Sequence, residues 1–198
     1  MTSGTHAIWQ QDLLQALALN QAKPESKYVQ LATVNTLGLP EVRTVVFRGF
    51  IENTCKIVIH TDHRSGKVEH LQAQTDVEIC WYFAESREQF RIAAKAELVD
   101  QDNADQRNLR SEHWSQLSDA AKSSYFWPQP GQVLGLNQPE FEQQVNVAPE
   151  TRNHISEHFS LVILHPYKVD HLQLTSPYHQ RKIFELHGDD WRHRQINP

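Results

Sequence analysis

Tyr28–Val29–Gln30–Leu31–Ala32–Thr33–Val34, then Leu37–Gly38–Leu39–Pro40, then Val42–Arg43–Thr44–Val45–Val46–Phe47–Arg48 reads as a β-hairpin. Both outer runs are rich in β-branched residues, the first alternates cleanly, and the Gly-Leu-Pro segment between them is a turn signal. Working outward, Lys56–Thr61 predicts a third strand, and Ser65 is positioned to cap a short helix through Val68 and Leu71. Val77–Phe83 and Gln89–Ala96 predict two further strands. Upstream, Trp9, Leu13 and Leu17, with Ile8 and Leu14, recur at helical spacing behind Thr5 as a cap, and Pro24 closes that segment. Downstream, helices are expected over roughly Asp102–Leu117 and Pro139–Asn153, then strands at Phe159–Leu164, Lys168–Leu174, Lys182–Leu186 and Trp191–Ile196. A doubly wound parallel sheet would need a helix after nearly every strand. Short early connections with helices inserted late point instead to an α+β protein built on an antiparallel barrel. No Gly/Ser tract, charge block or repeat divides the 198 residues, so a single domain over residues 1–198 is expected.

Lys and Arg number 19 against 24 Asp and Glu, a net charge of −5. Such a surface is a poor general partner for nucleic acid, so any bound anion must be gripped by a local site. Hydrophobic residues at 39% are enough for a packed core. No apolar run approaches the roughly 18 residues of a membrane span, and Met1–Asp12 lacks the pattern of a secretory signal. With Cys55 and Cys80 the only cysteines, the composition predicts a cytoplasmic protein without disulfides and without a membrane partner.

Several familiar sites are missing: there is no Gly-x-Gly-x-x-Gly, no Walker loop and no Gly-x-Ser-x-Gly elbow. The 12 His are scattered. His154 and His158 could share a helix face, but they read as a solvated pair and no metal site is expected. The informative feature is positive charge within and beside strands. Arg43 and Arg48 flank an apolar run, yet at five residues apart they point to opposite faces of a regular strand. Lining one wall would require a bulge or a turn of the strand end. Arg64, Ser65 and Lys67 crowd the start of the short helix, where free backbone N–H groups and the helix dipole favour a phosphate.

Taken in order, Arg43–Thr44–Val45–Val46–Phe47–Arg48, Ile59–His60–Thr61–Asp62–x–Arg64–Ser65–x–Lys67 and Glu88–Gln89–Phe90–Arg91 resemble the FMN-binding split barrel of the pyridoxamine 5′-phosphate oxidase family. The similarity is greatest to its oxidase-related, Alr4036-like branch. It continues through Tyr125–Phe126, Pro130–Gly135 and the closing Trp191…Ile196–Asn197–Pro198. The resemblance implies an antiparallel six-stranded split barrel with peripheral helices, FMN as cofactor, and a homodimer with FMN at the subunit interface. Arg43 and Lys67 would grip the FMN phosphate, assisted by Ser65 and Arg64, with Thr61 near the ribityl chain or phosphate. Thr44, Val45, Val46, Phe47 and Arg48 would run beneath the isoalloxazine ring, and His60 joins this cofactor-binding set. Gln89 would hydrogen-bond the polar edge of the ring, and Arg181 matches an arginine supplied from the second subunit. An amide suits a flavin edge because it both donates and accepts.

On the substrate side the chain departs from the family. Gln129–Pro130 stands where the family has an arginine before proline, and Pro177–Tyr178–His179 where it has Arg-Leu-His. Gly66 occupies the position of the family's second phosphate arginine, with Arg64 nearby. A neutral Gln cannot supply the charge that an Arg offers a phosphate dianion. Tyr125, Gln129 and His179 are the candidate substrate contacts. The expectation is an FMN-dependent oxidoreductase of unknown small-molecule substrate, with a pyridoxamine/pyridoxine 5′-phosphate oxidase as the alternative. A flavin-carrying binding or redox-sensing module, or a haem-binding barrel using His60, His63 or His171, completes the set.

Overall fold

The computed structural model describes residues 7–133 and 147–198. Helix α1 (Ile8–Leu19) leads into β1 (Tyr28–Val34), β2 (Pro40–Phe50) and β3 (Ile57–Asp62), and α2 (Gly66–Ala73) follows. Then come β4 (Asp76–Phe83), β5 (Glu88–Val99), α3 (Arg107–Ser115), α4 (Asp119–Ser124) and α5 (Pro149–Arg152). The chain finishes with β6 (Phe159–Gln173), β7 (Gln180–His187) and β8 (Asp190–Ile196). Strand order is β3-β2-β1-β4-β5-β6-β7-β8, and β3 also pairs with β6, so the first six close into an antiparallel barrel with β7 and β8 as an extension. This is the predicted split-barrel architecture.

Alternation along the strands builds two cores. Leu31, Ile59, Ile79, Trp81, Phe90, Ile92 and Val162 point into the barrel. Helix α1 closes one end by burying Trp9, Leu13 and Ala16, spaced so that they share one helical face. Trp9 meets Phe50 and Trp191 edge-on at 6.3 and 5.4 Å. Ile8 and Leu14 stay 51% and 40% exposed, so the apolar stripe is narrower than the sequence pattern. Outside the barrel, Val58, Phe159, Leu161 and Ile163 pack under α3 and α4 against Trp114 and Leu117. Burial of each such side chain is worth about 1.5–3 kcal/mol.

Several boundaries differ from the sequence reading. The two strands expected at Phe159–Leu164 and Lys168–Leu174 are one, β6. It leaves β3 at Leu164 and meets β7 at Lys168, and Pro166 falls in that gap, opposite a register shift at Ala93/Ala94 of β5. A residue without an N–H is tolerated where one side of the strand has no partner. The helix expected over Asp102–Leu117 starts with a 3-10 turn at Ala104–Gln106, and Ser118 opens the separate α4 by accepting from Ala121 N–H. Of the Pro139–Asn153 helix, residues 139–146 lie outside the described residues, as does the Thr5 cap, and α5 accounts for the remainder. His154 and His158 come after α5 and share no helix face.

Candidate functional site

Ser65 stands at the N-cap of α2, but its hydroxyl does not cap the helix. It donates to Asp62 O at 2.7 Å and accepts from Lys67 Nζ at 2.8 Å, while Lys67 also donates to Thr61 Oγ1 at 3.0 Å. The Lys67 ammonium is thus held by two hydroxyls, and no carboxylate pairs with it among the described residues. Burial, reinforced by the charge of Arg43, lowers its pKa. Burial lowers that of Arg43 as well. Two desolvated cations facing each other are costly, and a bound anion removes the cost.

Arg43, Thr61 and Lys67 line a cavity of about 510 Å³ on the outer face of β2 and β3, beneath α4 and the segment after it, while Ser65 stands behind Lys67 and does not line it. Arg43 to Val46 and Arg48 from β2, His60 to Asp62 from β3, and Lys67 from α2 line it. Ser124, Tyr125, Trp127, Pro128 and Pro130 form the opposite wall. Arg43 shares an inward row with Leu31 and reaches the cavity at the barrel rim, whereas Arg48 comes from the outer face. The register slips between Phe47 and Gly49, leaving Arg48 as the extra residue of a bulge against β3. Gly49 takes φ +130°, a conformation side chains rarely adopt, which lets the strand continue past the bulge. Both arginines therefore line one cavity.

His60 is the site's buried neutral group. Its Nε2 lies 3.0 Å from His113 Nδ1 of α3, and its Nδ1 is buried without a hydrogen-bond partner. Burial, then the charges of Arg48 and His113, push its pKa down to about 3. Across the cavity, burial drives the Tyr125 phenol up to about 12, so it remains a neutral donor. His113 and Trp127 escaped the sequence reading, because nothing local marks a helix residue as facing a strand fifty positions earlier.

Other expected residues sit elsewhere. Arg64 is committed to Asp62, with Nε–Oδ1 3.0 Å and Nη2–Oδ2 2.7 Å, and also donates to Trp127 O, so it does not line the cavity. Phe47 points into the core, 4.9 Å from the Trp81 ring, so only its backbone faces the β2 wall. Gln129 lies between the lining prolines 128 and 130, exposed and accepting from Gln132. His179 is exposed on the loop before β7.

Gln89 and Arg181 lie outside this cavity, together on the outer face of β5–β7 in the cross-strand row Tyr82–Gln89–Leu172–Arg181. Arg181 pairs with both oxygens of Asp170 at 2.9 and 2.7 Å. Behind this row, His171 is stacked on Phe90 at 4.0 Å and enclosed between Glu88 and Asp12 with no side-chain exposure. It is closed to an axial ligand role. His63 contacts Ser160 and Asp100. Among the described residues no cluster of His, Cys, Asp or Glu could hold a metal, and Cys55 and Cys80 are free.

A closed six-stranded barrel with a cation-ended cavity on the outer face of β2 and β3 fits a phosphate-bearing planar cofactor, and defines a flavin-binding split-barrel protein. The family model for the pyridoxamine 5′-phosphate oxidase FMN-binding domain matches residues 6–100, which include the Arg43, Thr61 and Lys67 cluster. Pyridoxine/pyridoxamine 5′-phosphate oxidase 2 of Arabidopsis thaliana is 39% identical, over 98% of this chain and 100% of its own. A solved FMN-binding protein from Nostoc punctiforme, described as pyridoxamine 5′-phosphate oxidase-related, superposes with a TM-score of 0.91 at 36% identity, covering 98% and 100% of the two chains. PhzG of Burkholderia lata, at 19% identity and TM-score 0.77 over 96% and 92%, shares the fold. The chain belongs to the pyridoxamine 5′-phosphate oxidase-related family of FMN-binding proteins. FMN is its cofactor.

Proposed function

We propose that Arg43 and Lys67, with Ser65 and Thr61, hold the FMN phosphate, and that Thr44–Arg48 runs beneath the flavin ring. The observation that carries this is the Lys67 ammonium, buried beside Arg43 with only hydroxyls for partners. A phosphate dianion between the two cations gains charge-assisted hydrogen bonds and relieves their repulsion. Two copies of the chain build each site. Gln89 and Arg181 share a sheet face away from the cavity, so a partner that presents this face supplies the flavin-edge contacts. The protein acts in the cytoplasm as a single domain spanning residues 1–198.

FMN supplies the two-electron acceptor, and the protein supplies orientation and a polar edge. On the substrate side Tyr125 presents a neutral phenol, and Gln129 is uncharged. That set suits a small molecule without a phosphate. A second reading, oxidation of pyridoxamine or pyridoxine 5′-phosphate, is favoured by Arg48, a cation in the cavity wall that has no ion pair among the described residues, and by the name of the Arabidopsis relative. Oxygen-coupled assays with both phosphorylated vitamers separate the two. The parent is expected to fall below the usual enzymatic kcat/KM of about 10⁴ M⁻¹s⁻¹. Gln129→Arg combined with Pro177→Arg should raise it. Efficient turnover by the parent overturns the first reading and establishes the second.

A further inference from the structure

The phosphate arginine is itself held by a ring of neighbouring groups, of which Thr33 and His70 are buried. Arg43 Nη1 lies 2.6 Å from Thr33 Oγ1, and 3.3 and 3.2 Å from the carbonyls of Leu31 and Glu41. Thr33 Oγ1 is in turn 3.0 Å from His70 Nδ1. Thr33 and His70 are only 3% and 6% exposed, so water offers neither an alternative partner. Donor chemistry sets the direction of the first link. A guanidinium only donates, so the Thr33 oxygen accepts from Arg43 while the same hydroxyl shares a second hydrogen bond with His70 Nδ1. The other ring nitrogen, Nε2, lies 3.8 Å from Glu41 Oε1. Glu41 Oε2 closes the ring at 3.5 Å from Arg43 Nη2.

Three elements meet in this ring: Thr33 from β1, Arg43 and Glu41 from β2, and His70 from α2. Helix α2 also carries Lys67, one turn before His70, so a single short helix presents one phosphate cation and anchors the group that orients the other. We propose that Thr33 and His70 are positioning residues that fix the Arg43 guanidinium for the cofactor phosphate, locking its distance from Lys67. Neither side chain lines the cavity. Their effect is exerted through Arg43, and the inference rests on the assignment of Arg43 to the phosphate.

Comparing FMN with riboflavin, which lacks the phosphate, isolates this role from general damage to the fold. Affinities for both are measured by fluorescence titration of the apoprotein carrying Thr33→Val, Thr33→Ser, His70→Phe or Arg43→Ala. Thr33→Val is nearly isosteric, removes the shortest of the three bonds from Arg43 Nη1 and leaves His70 Nδ1 without its Thr33 partner. It should weaken FMN by about three- to tenfold, the scale of one hydrogen bond, while riboflavin is unchanged. Thr33→Ser keeps the hydroxyl and should bind FMN like the parent. His70→Phe removes the hydrogen bond to Thr33, keeps an aromatic ring, and should also lower the FMN-to-riboflavin preference, which covers the case in which Thr33→Val fails to fold. Equal losses for FMN and riboflavin, or an unchanged preference in Thr33→Val or His70→Phe while Arg43→Ala lowers it, would overturn the positioning role. An unchanged preference in Arg43→Ala would overturn the phosphate assignment, and the inference with it.

Discussion

An ammonium that donates to two hydroxyls and stands near a partly buried guanidinium, as Lys67 does, costs the folded protein stability until an anion arrives. Replacing Lys67 or Arg43 by Ala should therefore weaken FMN by about 1.5–3 kcal/mol, some ten- to more than a hundredfold, while the unliganded protein loses little thermal stability. Titration of apoprotein with FMN, beside thermal melts of the same variants, checks both halves. Two unchanged titration curves would remove these residues from the site. At this scale the grouping was legible, because Ser65 and Lys67 stand together at a predicted helix start and meet there with Thr61 in the structure. Arg64 illustrates what was not: a carboxylate two residues earlier claims its guanidinium, and only coordinates show which of Asp62 or a phosphate lies within reach.

Helix α1 is fastened to the sheet by charge as well as by packing. His171 Nε2 is 2.8 Å from Glu88 Oε2, its Nδ1 is 3.5 Å from Asp12 Oδ2, and Lys182 lies 3.5 Å from the same oxygen of Asp12. Burial by itself depresses the His171 pKa, but Asp12 and Glu88 outweigh it and the net shift is upward. A raised folded-state pKa means that the imidazolium stabilises the fold fully below its ordinary value near 6.5, and that this contribution is lost as pH rises through the higher folded value. Asp12 and Glu88, both held below the ordinary carboxylate range, add stability that is lost only as acid protonates them. Melting temperature should thus decline in the parent as pH rises above about 6.5, and His171→Gln should be less stable at pH 6 without that decline. Parallel pH profiles would dissociate His171 from the effect. Sequence patterning located the strands that carry this cluster, since Phe83, Phe90 and Trp81 alternate inward. Joining Asp12 to His171 was beyond it, because the pair meets only once the barrel is closed. Pro166 misled for a related reason, since a proline reads as a strand end unless the neighbouring strands are known.

For the whole molecule, the face bearing Gln89 and Arg181 also carries Tyr82, Ala93, Tyr167 and Ile183 among ion-paired charges, and a cleft of about 600 Å³ opens there beside Arg91 and Asp170. Paired charges around apolar side chains suit an interface with a second copy. FMN that touches both chains must favour the dimer by linkage. Sedimentation should show a dimer whose dissociation is suppressed by FMN, and Arg181→Ala should weaken both FMN binding and that suppression. A monomer that binds FMN with full affinity would refute the arrangement.

Closure of the barrel by β3 against β6 also dictates the order in which this chain can fold. β1 to β5 pair with near neighbours and can form as they are synthesised, but Ile57–Asp62 finds Phe159–Leu164 only after the intervening strands and helices have emerged. Until then Ile57, Val58 and Ile59 lie on an open edge, with unpaired backbone groups and apolar side chains that the finished protein buries. Bringing together such distant segments carries a loop-closure cost and slows the final step. The nascent protein is therefore most exposed to aggregation in the interval before β6 arrives, a vulnerability no longer visible once the sheet has closed.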